Sequence, residues 1–170
     1  FTEASTTVGR GVMQLEAGYT YFFDRAGDDF TIDQSYPETL LRIGMLAEWF
    51  EFRIAYNHGS GASRTSGFFD SATGARDLYV GAKIGLTLQQ GILPEMAIVP
   101  QMFLPTGSDD FTSDRVCPGV NWLYGWDIND FLSCGGSTQV NKSVDDADDS
   151  SYTLFAQSFT IAGNSGIIDK

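Results

Sequence analysis

Nine charged or amide side chains (Glu16, Glu38, Arg42, Glu51, Arg53, Lys83, Glu95, Asn121 and Gln139) fall on alternate positions inside otherwise apolar stretches. Charges of both signs at that spacing can pair with one another in a packed interior, or line a wetted passage and act on the solutes that enter it. The residues alone support both readings equally. A second chemistry is suggested by the acidic runs GDDFTID, GSDDFTSD and VDDADDS, since clustered carboxylates suit Ca²⁺. Asp109, Asp110 and Asp114 are the candidates there, but no D-x-D-x-D-G loop accompanies them, and solvated loops are the plainer reading.

Catalytic chemistry finds little support. The string GSGAS at 59–63 has the wrong order for a nucleophile elbow and sits in a Gly/Ser-rich stretch. Phosphate-binding glycine loops of either common kind are missing. His58 is the only histidine, and Cys117 and Cys134 are not in a C-x-x-C spacing, which argues against a zinc site. No catalytic residue, metal or cofactor is expected, and the chain is not expected to be an enzyme. A net charge of −12 argues against nucleic acid as a partner, because phosphate binding needs Lys and Arg.

The elements that carry the nine residues show a period of two. In GVMQLEAGYTYFF, Met13, Leu15, Ala17, Tyr19, Tyr21 and Phe23 alternate with Gln14, Glu16, Gly18 and Thr20. A strand separates those sets onto opposite faces and a helix cannot. ETLLRIGMLA, FEFRIAYNH, DLYVGAKIGLT, PGVNWLYGWD and FLSCGGSTQVN repeat the pattern. EMAIVPQMFL and SYTLFAQSFTIA show it less cleanly: Val99 and Phe103 are apolar on the polar side of the first, and Pro100 suggests an edge, a bulge or a shifted register. About eight strands of some ten residues, joined as a meander, read as a transmembrane β-barrel. Hairpins are expected at 36–58, 77–104 and 117–141, with Leu41, Ile43, Phe52, Ile54, Val80 and Ile84 on one face and Arg42, Arg53 and Lys83 on the other.

Connections support the membrane reading. Residues 24–35, 59–75, 105–116 and 142–150 read as long polar loops, alternating with short links near 47–49, 89–94 and 127–130. Outer-membrane barrels have that asymmetry. Aromatics fall near both strand ends: Tyr21, Phe23, Tyr36, Tyr56, Phe103 and Tyr152 toward the long loops, and Trp49, Phe50, Trp126 and Phe131 toward the short turns. Girdles at the two membrane interfaces have this form. The start at Phe1 fits a mature protein whose signal peptide is gone, or an excised fragment. For the cysteines, a turn centred between Ile128 and Asn129 places Cys117 opposite Val140 and Cys134 opposite Leu123. That is too far apart for a disulfide, with one thiol toward each face.

Laid out in order, TIDQSYPETLLRIGM, WFEFRIAYN, DLYVGAKIGLT, PTGSDDFTSDRVCPGVNWLYGWDI and FLSCGGST resemble the outer-membrane transporters grouped under the name "MetA-pathway of phenol degradation". The resemblance runs from about Phe1 to about Ile161, and LPTGSDDFTSD followed by PGVNWLYGWD carries most of it. It implies an outer-membrane β-barrel that passes or binds small molecules, with no catalytic motif to carry over. Family members continue for several more strands, so the 170 residues are expected to form a single β-barrel domain that is the N-terminal part of a longer barrel.

The expected function is a passive channel or transporter in the bacterial outer membrane, with the lipid bilayer and small solutes as partners. Two alternatives remain. A soluble, lipocalin-like ligand-binding barrel would use the same alternation with its apolar side inward. A surface adhesin would use the acidic loops with Ca²⁺.

Overall fold

The computed structural model describes residues 3–145 and 150–163. Ten strands account for nearly all of it: β1 (Met13–Ala26), β2 (Asp29–Gly44), β3 (Phe50–Tyr56), β4 (His58–Thr65), β5 (Phe68–Ala75), β6 (Leu78–Thr87), β7 (Glu95–Leu104), β8 (Cys117–Asn129), β9 (Leu132–Val144) and β10 (Ser151–Gly163). Every ladder is antiparallel, and the path runs β10-β9-β8-β7-β6-β3-β2, with β1 on the other side of β2. The sheet curls into a half-barrel. Among the described residues no ladder joins β1 to β10, so it is an open, curved segment as expected.

The period of two sorts the side chains as the sequence requires. Leu41 pairs with Ile54 and Ile54 with Val80, while one step along Arg42 pairs with Arg53 and Arg53 with Gly81. One face is therefore a band that includes Leu41, Ile54, Val80, Met102, Val120 and Trp122. It is the convex face, and its side chains at the sheet's sides stand open, with Leu15 69%, Phe155 64% and Trp122 45% exposed. The concave face carries buried polar groups, among them Glu51, Arg53, Lys83 and Asn121. The small fully buried apolar cluster, Ala97, Val99 and Leu123, lies on that same face.

Three expectations about the strands are corrected. The segments 24–35 and 59–75 are strands rather than loops: the β1–β2 ladder continues to Ala26 opposite Asp29, and 59–75 forms most of the β4–β5 hairpin. HGSGASRT and FFDSATGA escape the alternation test because they extend beyond the apolar band, where neither face has to be greasy. β2 serves two storeys, pairing β3 through Thr39–Gly44 and β4 through Phe30–Ser35. Residues 105–116 do form a loop, with one 3₁₀ turn at Asp109–Phe111. The segment 142–150 begins as strand through Val144, and 146–149, with most of the third acidic run, lie outside the described residues, as does the tail from 164 onward.

Pro100 sits in the middle of the sheet, neither at an edge nor at a bulge. It faces the convex side opposite Val120, and the β6–β7 ladder skips two pairs between Gly81/Gln101 and Ile84/Ile98, with the register unchanged, where its missing N–H interrupts the pairing. Phe103 leaves the proposed girdle: it lies on the concave face, edge-on to Tyr79 at 5.5 Å.

The β8–β9 turn comes later than between Ile128 and Asn129. Val120 pairs with Val140 and Trp126 with Cys134, and the turn closes at Asn129 and Leu132. The earlier turn shifts the register by an odd number and would set the apolar side of one strand against the polar side of the next. Both cysteines are free, Cys117 buried and Cys134 half-buried, on opposite faces. Cys134 lies opposite Trp126, nine residues of strand from Cys117, or roughly 30 Å.

Candidate functional site: the concave face and its two inserts

The floor of the concave face is an ionic network set by cross-strand register. Gly44, Glu51 and Lys83 lie side by side across β2, β3 and β6, two residues along from the Arg42–Arg53 pair and on the same face. Two cations facing each other across a ladder repel unless carboxylates intervene. Glu51 does so, accepting from Arg42 at 2.7 and 3.0 Å and lying 3.2 Å from Arg53 Nε. Glu16 on β1 takes the remaining Arg42 nitrogen at 3.0 Å.

The rest of the network comes from the segment that precedes β1. Residues 3–12 run along the concave face as a strap. Glu3 Oε1 lies 2.6 Å from both Arg53 Nη1 and Lys83 Nζ. Lys83 Nζ also donates to the carbonyls of Ala4 at 2.9 Å and Thr6 at 3.1 Å. The Val8 N–H donates to Glu51 at 2.8 Å, and the Arg10 N–H to Glu48 at 3.0 Å. At its end the strap is pinned to β2 by Gly11 N–H to the Gly44 carbonyl and Gly44 N–H to the Val12 carbonyl, each 2.8 Å. Within this network three carboxylates (Glu3, Glu16, Glu51) face three cations (Arg42, Arg53, Lys83).

Gly44 is where the strap crosses closest. A Cβ there would collide with the Gly9 carbonyl and lie 3.2 Å from Val8 Cγ2. Gly44→Ala is expected to lift the strap while leaving the sheet in place, and trypsin cleavage after Arg10 should accelerate at least about tenfold.

A second insert covers the other end of the face. The loop 105–116 folds over the inward-facing glycines of the β4–β5 hairpin, where a Cβ on Gly59 would lie 2.7 Å from the Phe111 ring and one on Gly74 3.2 Å from it. Ser108 pairs with Ala75 through both its backbone and its hydroxyl, at 2.9 and 3.0 Å. Arg76 stacks on Phe111 at 5.3 Å and reaches Asp33 at 3.3 Å. Asp77 holds the loop's two shoulders, accepting from Gly107 N–H at 3.0 Å and from the Ser113 N–H and hydroxyl at 2.9 and 2.7 Å.

Burial pushes the Asp77 carboxyl up, but the donors from Ser113, Thr112 and Gly107 outweigh it and hold the group below its ordinary value. The latch is therefore fully present above about pH 4 and is lost as pH falls through the lower folded value. Asp77→Asn should weaken it at neutral pH as well, and faster tryptic cleavage after Arg115 would report the released loop.

Three cavities run along the face between these inserts. One of about 310 Å³ borders Glu3, Ser5, Glu95 and Tyr124. The next, about 430 Å³, meets Glu3, Glu38, Arg53, Tyr79 and Phe103. The third, about 290 Å³, shares Phe103 and Asn57 with the second and ends under Phe111. Glu3 and Phe103 thus mark the junctions of a groove that passes both inserts.

All nine residues picked from the sequence lie on the concave face. The structure brings Glu16, Arg42, Glu51, Arg53 and Lys83 into one network, while Glu38, Glu95, Asn121 and Gln139 stand apart from it. Glu38 and Glu95 border cavities, and the buried Asn121 Oδ1 has no hydrogen-bond partner among the described residues. Asp109, Asp110 and Asp114 do not assemble: all three are exposed, and among the described residues no group of three His, Cys, Asp or Glu could hold a metal. The carboxylate that organises that loop is Asp77, outside every acidic run. The other residues missed are Glu3, whose segment shows no alternation, and Tyr79 with Gln101, joined at 3.1 Å on the polar side of their strands. Gln101 in turn donates to Asn141 at 3.0 Å.

A curled, all-antiparallel half-barrel with an apolar convex face and an ion-paired concave one is the architecture of a β-barrel wall. The chain belongs to the family described as "Putative MetA-pathway of phenol degradation", whose match covers residues 1–166. Neither the curated proteins nor the solved structures contain a match to it.

Proposed function

We propose that this chain forms part of the wall of an outer-membrane β-barrel that passes small water-soluble molecules passively, without catalysing a reaction. The observation that supports the reading best is the polarity of the curl. The apolar band is convex and the charges are concave, whereas a soluble ligand-binding barrel needs the reverse. A convex apolar band satisfies lipid, and antiparallel ladders pair most of the backbone within it, with the interruption at Pro100. The groove past the strap supplies a wet route, and the family's name is compatible with a small-molecule role. The full-length protein reconstituted in planar bilayers should give discrete conductance steps. Bilayers that stay silent, together with recovery of the protein in the soluble fraction without detergent, would overturn the reading.

A further inference from the structure

We propose that Arg53 and Lys83 form a binding site for a monovalent carboxylate solute, and that Glu3 of the strap occupies it as a built-in competitor. The proposal rests on reading the concave face as a solute path. Three observations carry it. Both cationic atoms, Arg53 Nη1 and Lys83 Nζ, converge at 2.6 Å on one carboxylate oxygen. Both cations stand on neighbouring, register-paired strands and are buried under the docked strap, Arg53 4% exposed and Lys83 0%, and Arg53 also lies 3.2 Å from Glu51 of the sheet, so their anchoring backbone belongs to the wall rather than to the strap. Glu3 lies where two of the cavities meet, so a solute moving along the groove comes up against the side chain that covers the two cations.

Charge sets the ligand class. With the strap docked, three carboxylates balance three cations. With Glu3 withdrawn, Glu16 and Glu51 are left against Arg42, Arg53 and Lys83, an excess of one positive charge in a poorly solvated place. A single carboxylate restores the balance and accepts charge-assisted hydrogen bonds from both donors. A neutral solute does neither. Because Glu3 is tethered, it competes at a high effective concentration, and a free carboxylate must displace it to pass. Lys83 loses the Ala4 and Thr6 carbonyls in the same movement, so its ammonium group becomes accessible when the strap leaves.

The test uses full-length protein in detergent micelles, a water-soluble amine-acylating reagent and peptide mapping by mass spectrometry, with the exposed Lys142 as internal reference. In the unaltered protein Lys83 should react slowly. In Glu3→Gln its rate relative to Lys142 should rise at least about tenfold. Acetate should return the rate in Glu3→Gln toward the unaltered value, whereas chloride at equal ionic strength and glycerol should not. Unchanged reactivity in both Glu3→Gln and Glu3→Ala, no protection by acetate, or equal protection by chloride would each overturn the proposal. Glu3→Ala repeats the measurement in case the glutamine retains the strap by hydrogen bonding. Because the readout is not transport, a protein that conducts without acetate protection sinks this inference alone, and one that is protected yet silent in bilayers sinks only the channel reading.

Discussion

Glu51→Leu is expected to destabilise the folded sheet by about 3–5 kcal/mol, more than any other single change on the concave face. The carboxylate is fully buried and contacts Arg42, Arg53 and the Val8 N–H. Leucine fills much of the same volume, so the loss is not one of packing. Arg42 and Arg53 are cross-strand partners, and without Glu51 their guanidinium groups face each other with only Glu16 and Glu3 at the far sides. The cost is that of leaving buried charge uncompensated, and it exceeds what the ion pair itself contributes to stability. Urea titration of protein folded into lipid vesicles measures it as a lowered midpoint. Replacing Glu51 and Arg42 together by apolar residues should recover part of the loss, because the second change removes one of the stranded charges.

The second large effect is expected on the opposite face. Ile54 lies in the middle of the convex band between Leu41 and Val80. Ile54→Arg should cost about 2–4 kcal/mol if that band meets the bilayer core. Its neighbour Ala55 points the other way and borders the central cavity, so Ala55→Arg should cost less, with Glu38 on the same cavity wall. If the convex face were bathed in water, the order would reverse: arginine at 54 would be nearly silent, and arginine at 55 would bear the burden of a crowded interior. The same vesicle titration on both variants, together with their yield in the outer-membrane fraction, distinguishes these outcomes.

The sequence reveals most where one face of a strand must differ from the other. The alternation places Arg53 and Ile54 correctly, fixes three hairpins and puts all nine polar candidates on one side. It does not reveal β4 and β5, because Gly, Ser, Ala and Thr in HGSGASRT and FFDSATGA carry no contrast between faces. It misplaces the β8–β9 turn, where counting outward from an assumed turn centre conflicts with matching the apolar faces, and face matching decides the register. Phe103 and Val99 are apolar for a local reason, one meeting Tyr79 and the other the Ala97–Leu123 cluster, and only three-dimensional neighbours reveal that. The strap is hidden most completely. Two of the three groups that hold Lys83 are backbone carbonyls, which any residue supplies, and the third is one glutamate 80 positions away in a segment with no period.

The strap also dictates an order of assembly. Most ladders join strands that are consecutive or nearly so, and such local pairings form quickly because little chain entropy is lost in closing them. The strap is the exception: Val8 reaches Glu51 across 43 positions and Ala4 reaches Lys83 across 79. Its landing place does not exist until β2, β3 and β6 lie side by side, so its docking follows theirs. In a wall that closes into a barrel it must nevertheless lie on the inner side before the last strands join, as a cork is set in a cask while the staves are still open. Slowing that step would leave the strand content of the refolding chain unchanged and delay only the disappearance of the Lys83 amine from solvent.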